Sequence, residues 1–169
     1  MESDDSASTV RDDSASTVRD EFPPTPLDRF GLPAWPRWLA VAAVAGVLFY
    51  GSVLDSPGAG LPSLGPFGLF GLDKWLHALG YAALAGALAV ALAAHDRFRT
   101  RLVRIVALAV LLTVGYGVGI EIVQATIPER SFSVGDIVAD VVGAGVGAVG
   151  WRALVGLATR TERTAASER

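Results

Sequence analysis

The sequence predicts an all-α, polytopic membrane protein: a bundle of four transmembrane helices behind a disordered, acidic N-terminal tail. Three observations carry this. Four long apolar stretches alternate with short polar or Gly/Pro-rich connections, and about 18 apolar residues with few charges suffice to cross a bilayer. Charges gather in the first 37 residues, in one stretch near the middle and at the C-terminus. Hydrophobic residues make up 51% of the 169 positions, and the mean hydropathy is +0.45. Length alone would suit one soluble domain; the distribution of charge argues against it.

The tail opens with a tandem repeat, DDSASTVR at residues 4–11 and again at 12–19. It is polar, acidic and free of aromatics, so it has too little apolar surface to fold. It lacks the basic start and apolar core of a signal peptide. Residues 22–36 are Pro-rich and read as a stiff linker arriving at the membrane. The expected division is therefore tail and linker at 1–36, membrane domain at 37–159 and a cytoplasmic tail at 160–169.

The first span is expected over Trp38–Leu54, with Trp35 and Trp38 in the interfacial aromatic belt. Residues 55–72 hold too many Gly and Pro for a continuous helix. They are apolar nonetheless (Leu61, Leu64, Phe67, Leu69, Phe70), which predicts a segment lying on or dipping into the interface. The second span is expected over Lys74–Ala94, followed by a basic connection at 95–104. The third is expected over Ile105–Gln124 and the fourth over Val134–Leu157, joined by a short loop. Gly115 and Gly119, and Ala139, Gly143 and Gly147, are spaced by four and predict faces of close helix packing.

Orientation follows from the arginines. Four spans put both termini on the side of the 95–104 connection. Besides Arg11, Arg19 and Arg169 in the tails, that side carries nine basic residues: Arg29, Arg37, Arg97, Arg99, Arg101, Arg104, Arg152, Arg160 and Arg163. The other side carries two, Lys74 and Arg130. The positive-inside rule then predicts a multi-pass protein of the cell membrane with both termini cytoplasmic.

The remaining polar residues all fall at the opposite, outer end. Asp73, Lys74 and His77 open the second span, Glu121 and Gln124 close the third, Arg130 follows it, and Asp136 and Asp140 open the fourth. Asp73, His77 and Tyr81 are four apart and share a helix face. Glu121 shares a face with Gln124, and Asp136 with Asp140 and Gly143. Three helices can thus aim polar stripes at one centre. Ionisable groups at membrane depth are costly and normally face the bundle interior with a partner. Plainer roles exist. Asp73 can cap the second helix, Ser133-Val-Gly-Asp136 has the form of a capping box, and Lys74 and Arg130 can snorkel. Glu121 escapes them, because the helix dipole disfavours a carboxylate at a C-terminus.

These residues, Asp73-Lys74-x-x-His77-x-x-x-Tyr81, Glu121-x-x-Gln124-x-x-x-Pro128-x-Arg130 and Ser133-x-x-Asp136 before Gly143, resemble the VanZ-like family. The resemblance covers about Asp73 to Gly150. It departs at Asp140, where the family pattern usually carries Asn. The family is named for a protein associated with resistance to a glycopeptide antibiotic, a role not carried over to this chain. What the resemblance implies is the four-span architecture and the importance of the polar residues at the motif positions.

Composition excludes several classes. With no cysteine there is no disulfide, thiolate metal site or Cys nucleophile. A net charge of −3 does not suit a nucleic-acid binder. No serine elbow or zinc motif is present. A metal held by Asp73, His77, Glu121 and Asp136 has only weak support from spacing, and no cofactor is named by the residues. Two functions stay open. One is a non-enzymatic protein of the bilayer that engages a lipid or envelope component at the outer face. Its ligand-binding residues would be Asp73, Lys74, Tyr81, Gln124, Arg130, Asp136 and Asp140. The other is a membrane-embedded enzyme with His77 and Glu121 as catalytic acid–base residues on a lipid-linked substrate. An ion-coupled transporter would need polar groups through the full depth, which the cytoplasmic halves lack.

The absence of cysteine makes topology directly testable. Single variants Ser63→Cys, Thr100→Cys, Thr126→Cys and Ser167→Cys, treated in intact cells with an impermeant thiol reagent, are expected to label at 63 and 126 only. Labelling at 100 and 167 instead would invert the orientation.

Overall fold

The computed structural model describes residues 34–54, 65, 71–95, 102–128 and 132–167. Residues 1–33 of the tail and linker expected at 1–36, most of the apolar 55–72 segment, the arginines of the basic connection at 97–101 and Arg130 lie outside the described residues. Among the described residues there is no strand. The chain forms four helices: α1 Trp35–Phe49, extended by a π-helical turn Tyr50–Leu54, α2 Leu72–Ala93, α3 Leu102–Gln124 and α4 Val134–Ser167.

All four are long and apolar enough to cross a membrane, over Trp35–Leu54, Leu72–Ala93, Leu102–Gln124 and Val134–Thr161. The expected spans are thus present, each beginning or ending within a few residues of its sequence-based limit. Pro36 sits in the first turn of α1, where its missing N–H costs no helical bond. The largest departure is at the C-terminus. The polar stretch expected to follow the fourth span as a tail continues as helix to Ser167. The apolar part of α4 alone, 28 residues, measures about 42 Å at 1.5 Å per residue, against a hydrocarbon core of about 30 Å. It must tilt or project beyond the bilayer.

The helices alternate in direction. Trp38 near the start of α1 meets His95 after α2, their rings 6.2 Å apart. Gln124 at the end of α3 reaches Ser52 at the end of α1. One end of the bundle is dry and apolar. Leu84, Leu88, Ala89 and Leu92 of α2 pack there with Ile105 and Ala109 of α3 and Trp151 of α4. Val41, Val44, Ala45 and Leu48 of α1 close over them. The other end holds the polar residues.

Helices α2 and α4 form the most extensive interface. It exists because α4 has glycine where α2 has backbone. A Cβ on Gly143 would fall on the Ala78 carbonyl, and one on Gly147 on the Ala82 carbonyl. Small residues at such positions let helices approach without a hydrophobic driving force. Packing at Gly143 and Gly147 therefore matches the expectation. Gly115 and Gly119 do not, since nothing lies within 4 Å of a Cβ built on either. The face of α3 that packs inward is the opposite one, Thr113-Gly117-Glu121-Gln124, all buried.

This contrast can be measured. Gly147→Val is expected to destabilise the bundle by about 1–3 kcal/mol, the usual cost of overpacking. Gly115→Val should lie within about 0.5 kcal/mol of the parent, as for open surface sites. Thermal unfolding in detergent, followed by circular dichroism, reads both. Equal losses would mean that the α2–α4 seam is not the tight contact.

Candidate functional site

The polar end is built from the last turn of α1, the first turns of α2 and α4 and the last turn of α3. Its mouth is an ion-pair bridge. Lys74 Nζ on α2 donates to Asp73 Oδ2 at 2.8 Å and to Asp136 Oδ1 on α4 at 3.1 Å. All three side chains keep some exposure. Lys74 can pass over α4 because residue 135 is glycine, where a Cβ would stand 3.0 Å from Lys74 Cε. Asp73 does not cap α2: the N-cap is Gly71 and no side chain bonds there. Its carboxylate lies in the first helical turn, where the dipole favours negative charge.

Beneath the mouth the helices make a buried second pair. His77 Nδ1 lies 2.9 Å from Asp140 Oδ1. With Asp140 ionised, Nδ1–H donates and fixes the ring orientation. The His77 ring stacks on Tyr81 one turn deeper, centroids 5.9 Å apart and planes within 6°. Asp140 is 1% exposed and Tyr81 fully buried. Asp140 stands six residues into α4, about 9 Å below its start at 1.5 Å per residue. Its second oxygen, Oδ2, presses on α3 at Gly117, where a Cβ would collide with it and with the edge of the Tyr81 ring.

Glu121, also 1% exposed, plays a part that its position in α3 did not reveal. Its Oε2 accepts the backbone N–H of Ser133 at 2.7 Å. Ser133 is the N-cap of α4, and its Oγ accepts the Asp136 N–H at 3.2 Å. In an ordinary capping box the acidic side chain three residues on would reach back to the N-cap N–H. Here Glu121 takes that bond from another helix, and Asp136 is released to hold Lys74. Gln124, one turn further, donates from Nε2 to the Ser52 carbonyl at 2.7 Å. That bond serves the π-helical turn of α1, a local geometry frequent at functional sites. Tyr116 adds a second tie to α1, donating to the Ala45 carbonyl at 2.6 Å.

The structure thus brings together Asp73, Lys74, His77, Tyr81, Glu121, Gln124, Asp136 and Asp140. It pairs His77 with Asp140, and no hydrogen bond joins His77 to Glu121, the residue expected to share acid–base work with it. Asp73, His77, Glu121 and Asp136 do not combine as a metal centre: no group of three or more His, Asp or Glu among the described residues could hold an ion. Arg130 lies outside the described residues. Sequence reasoning missed Gly117, Gly135, Ser52 and Tyr116. Gly117 was within reach, since it lies one turn before Glu121 on the same face.

Among the described residues, Glu121 Oε1, Asp140 Oδ2, the Tyr81 hydroxyl and the Thr113 hydroxyl are buried without a hydrogen-bond partner. Buried polar groups are normally paired, so a cluster of four on facing helices marks an unfinished polar interior.

A family model described as VanZ/LLP1 matches residues 39–155, a stretch that contains every side chain of this cluster. No curated protein and no solved structure matches.

The role of Glu121 separates charge from hydrogen bonding. Glu121→Gln keeps an acceptor for Ser133 N–H and should leave stability within about 1 kcal/mol of the parent. Glu121→Leu strands that N–H and should cost about 1–3 kcal/mol, the penalty of a buried unsatisfied donor. Detergent melts of the two variants distinguish them, and equal melts would remove the capping role.

Proposed function

The chain belongs to the VanZ/LLP1 family, and we propose that this membrane protein binds the polar part of a lipid or lipid-linked envelope component at the outer face of the cell membrane. The observation that carries the proposal is the pair of carboxylates, Glu121 and Asp140, each 1% exposed inside a bundle of membrane-spanning helices. Such groups are expensive in a bilayer and mark a functional site by default. Each keeps one oxygen unpaired, and the half-exposed Lys74 stands above them. A headgroup arriving from the polar end of the bundle would meet Lys74 first, then His77, then the carboxylates.

The outward orientation rests on the arginines. Among the described residues Arg37, Arg104, Arg152 and Arg160 all fall on the end opposite the polar cluster, as the positive-inside rule requires of a cytoplasmic side. The glycine seam at Gly143 and Gly147 and the apolar core at the other end join the helices.

A second reading is favoured by the His77–Asp140 bond. An imidazole held by a buried carboxylate is an oriented general base. In an enzyme acting on a lipid-linked substrate, His77 would take or give the proton and Asp140 would hold the ring. Glu121 would then support α4 and the ligand instead of completing a dyad with His77.

Native mass spectrometry of protein released from its own membranes tests both readings. The parent is expected to carry one bound lipid-sized species, and Lys74→Ala combined with His77→Ala to lose at least tenfold of it. A parent with no such species under gentle release would overturn the proposal. If His77→Ala alone retains a species of different mass from the parent's, the chain alters what it binds and the enzymatic reading prevails.

A further inference from the structure

The deepest part of the cluster specifies its ligand more closely than the mouth does. Asp140 Oδ2 rests against α3 at Gly117. Glu121 follows on the same face of α3 one turn later, about 5.4 Å along the axis. Both oxygens are acceptors without a donor. Among the described residues the charged and amide donors nearby are engaged, which leaves only the neutral hydroxyls of Tyr81 and Thr113. Lys74 is held by Asp73 and Asp136, His77 Nδ1 by Asp140 Oδ1, and Gln124 Nε2 by the Ser52 carbonyl. A phosphate or carboxylate entering here would meet two carboxylates of its own sign. An apolar group would leave both oxygens stranded.

We infer that this inner subsite takes a protonated primary amine, held between Asp140 Oδ2 and Glu121 Oε1 with the Tyr81 hydroxyl beside it. The inference rests on the ligand-binding reading given above and names the chemistry of the group that reaches deepest. Two features favour an amine over other donors. One ammonium makes charge-assisted hydrogen bonds of about 2.8 Å in several directions, so it can serve acceptors carried on two facing helices at once. It also supplies charge. Among the described residues the cluster sets four carboxylates, Asp73, Glu121, Asp136 and Asp140, against Lys74 and the titratable His77. A hydroxyl would donate without neutralising. A quaternary ammonium would neutralise without donating.

The stacked rings of His77 and Tyr81 wall the subsite on the α2 side. The bare backbone of Gly117 leaves the room that an alanine methyl would take from Asp140. An amine on a lipid headgroup and a free small amine would be recognised alike by these oxygens.

The test uses the full chain in detergent, stripped of native lipid, with defined lipids returned at equal concentration and retention read by native mass spectrometry. Phosphatidylethanolamine is expected to be retained at least tenfold over phosphatidylcholine and phosphatidylglycerol. Glu121→Gln and Asp140→Asn, each confirmed as folded by circular dichroism, should reduce that preference to within about threefold of parity. Millimolar ethanolamine should displace the lipid, and glycerol phosphate at the same concentration should not. Equal retention of all three lipids by the parent, or displacement by glycerol phosphate alone, would overturn the amine assignment while leaving lipid binding intact. Retention of none of them, from a parent that also leaves its own membrane without lipid, would remove the ligand-binding reading itself. A preference that survives in both variants would place the amine elsewhere.

Discussion

The backbone contact between α2 and α4 fixes the position of both charged pairs that cross between those two helices. Gly143 and Gly147 set α4 directly on the carbonyls of Ala78 and Ala82. At that separation Lys74 meets Asp136 and His77 meets Asp140, one turn apart on both helices. A wider separation would leave Asp140 in hydrocarbon without its imidazole, which a bilayer penalises by several kcal/mol for an unpaired charge. Packing and electrostatics are therefore one constraint: the seam is tolerable because the pairs form, and the pairs form because the seam is tight.

The acidic residues divide by the dipole they face. Asp73 and Asp136 lie in the first turns of their helices, where partial positive charge favours them. Glu121 lies in the last turn of α3, where it is disfavoured, and it offsets that cost by accepting the N-cap N–H of α4. The exchange is reciprocal across the loop between them. The end of one helix completes the start of the next, and the acid that would have closed the capping box is left to grip the lysine. The polar end is held by bonds between helices far more than within them.

The four spans and the gathering of polar residues at one end were legible in the sequence, because hydropathy and charge report depth directly. Spacing by four reported which residues share a face: Asp73 with His77 and Tyr81, Asp136 with Asp140. What spacing could not report is how far each helix is turned about its axis. Gly115 and Gly119 have the form of a packing face, yet α3 presents Gly117 inward instead. The same limit hid the partner of His77. Asp140 and Glu121 were equally plausible from register, and only the tertiary arrangement decides between them. The π-helical turn at Tyr50–Leu54 had no signature, being held from outside by Gln124.

The helix that carries Gly143 and Gly147 follows the other three in the chain. Its main partner, α2, is separated from it by the whole of α3. Without α4, Lys74 and His77 of α2 lack their partners Asp136 and Asp140, and the N-cap that Glu121 serves is absent. The cluster is complete only when α4 packs against α2 and α3. A ribosome that stalls before residue 134, or a protein cut in the loop before α4, would leave three membrane helices and no site at all. Possession of the site is thus a certificate that all four of these helices have come together.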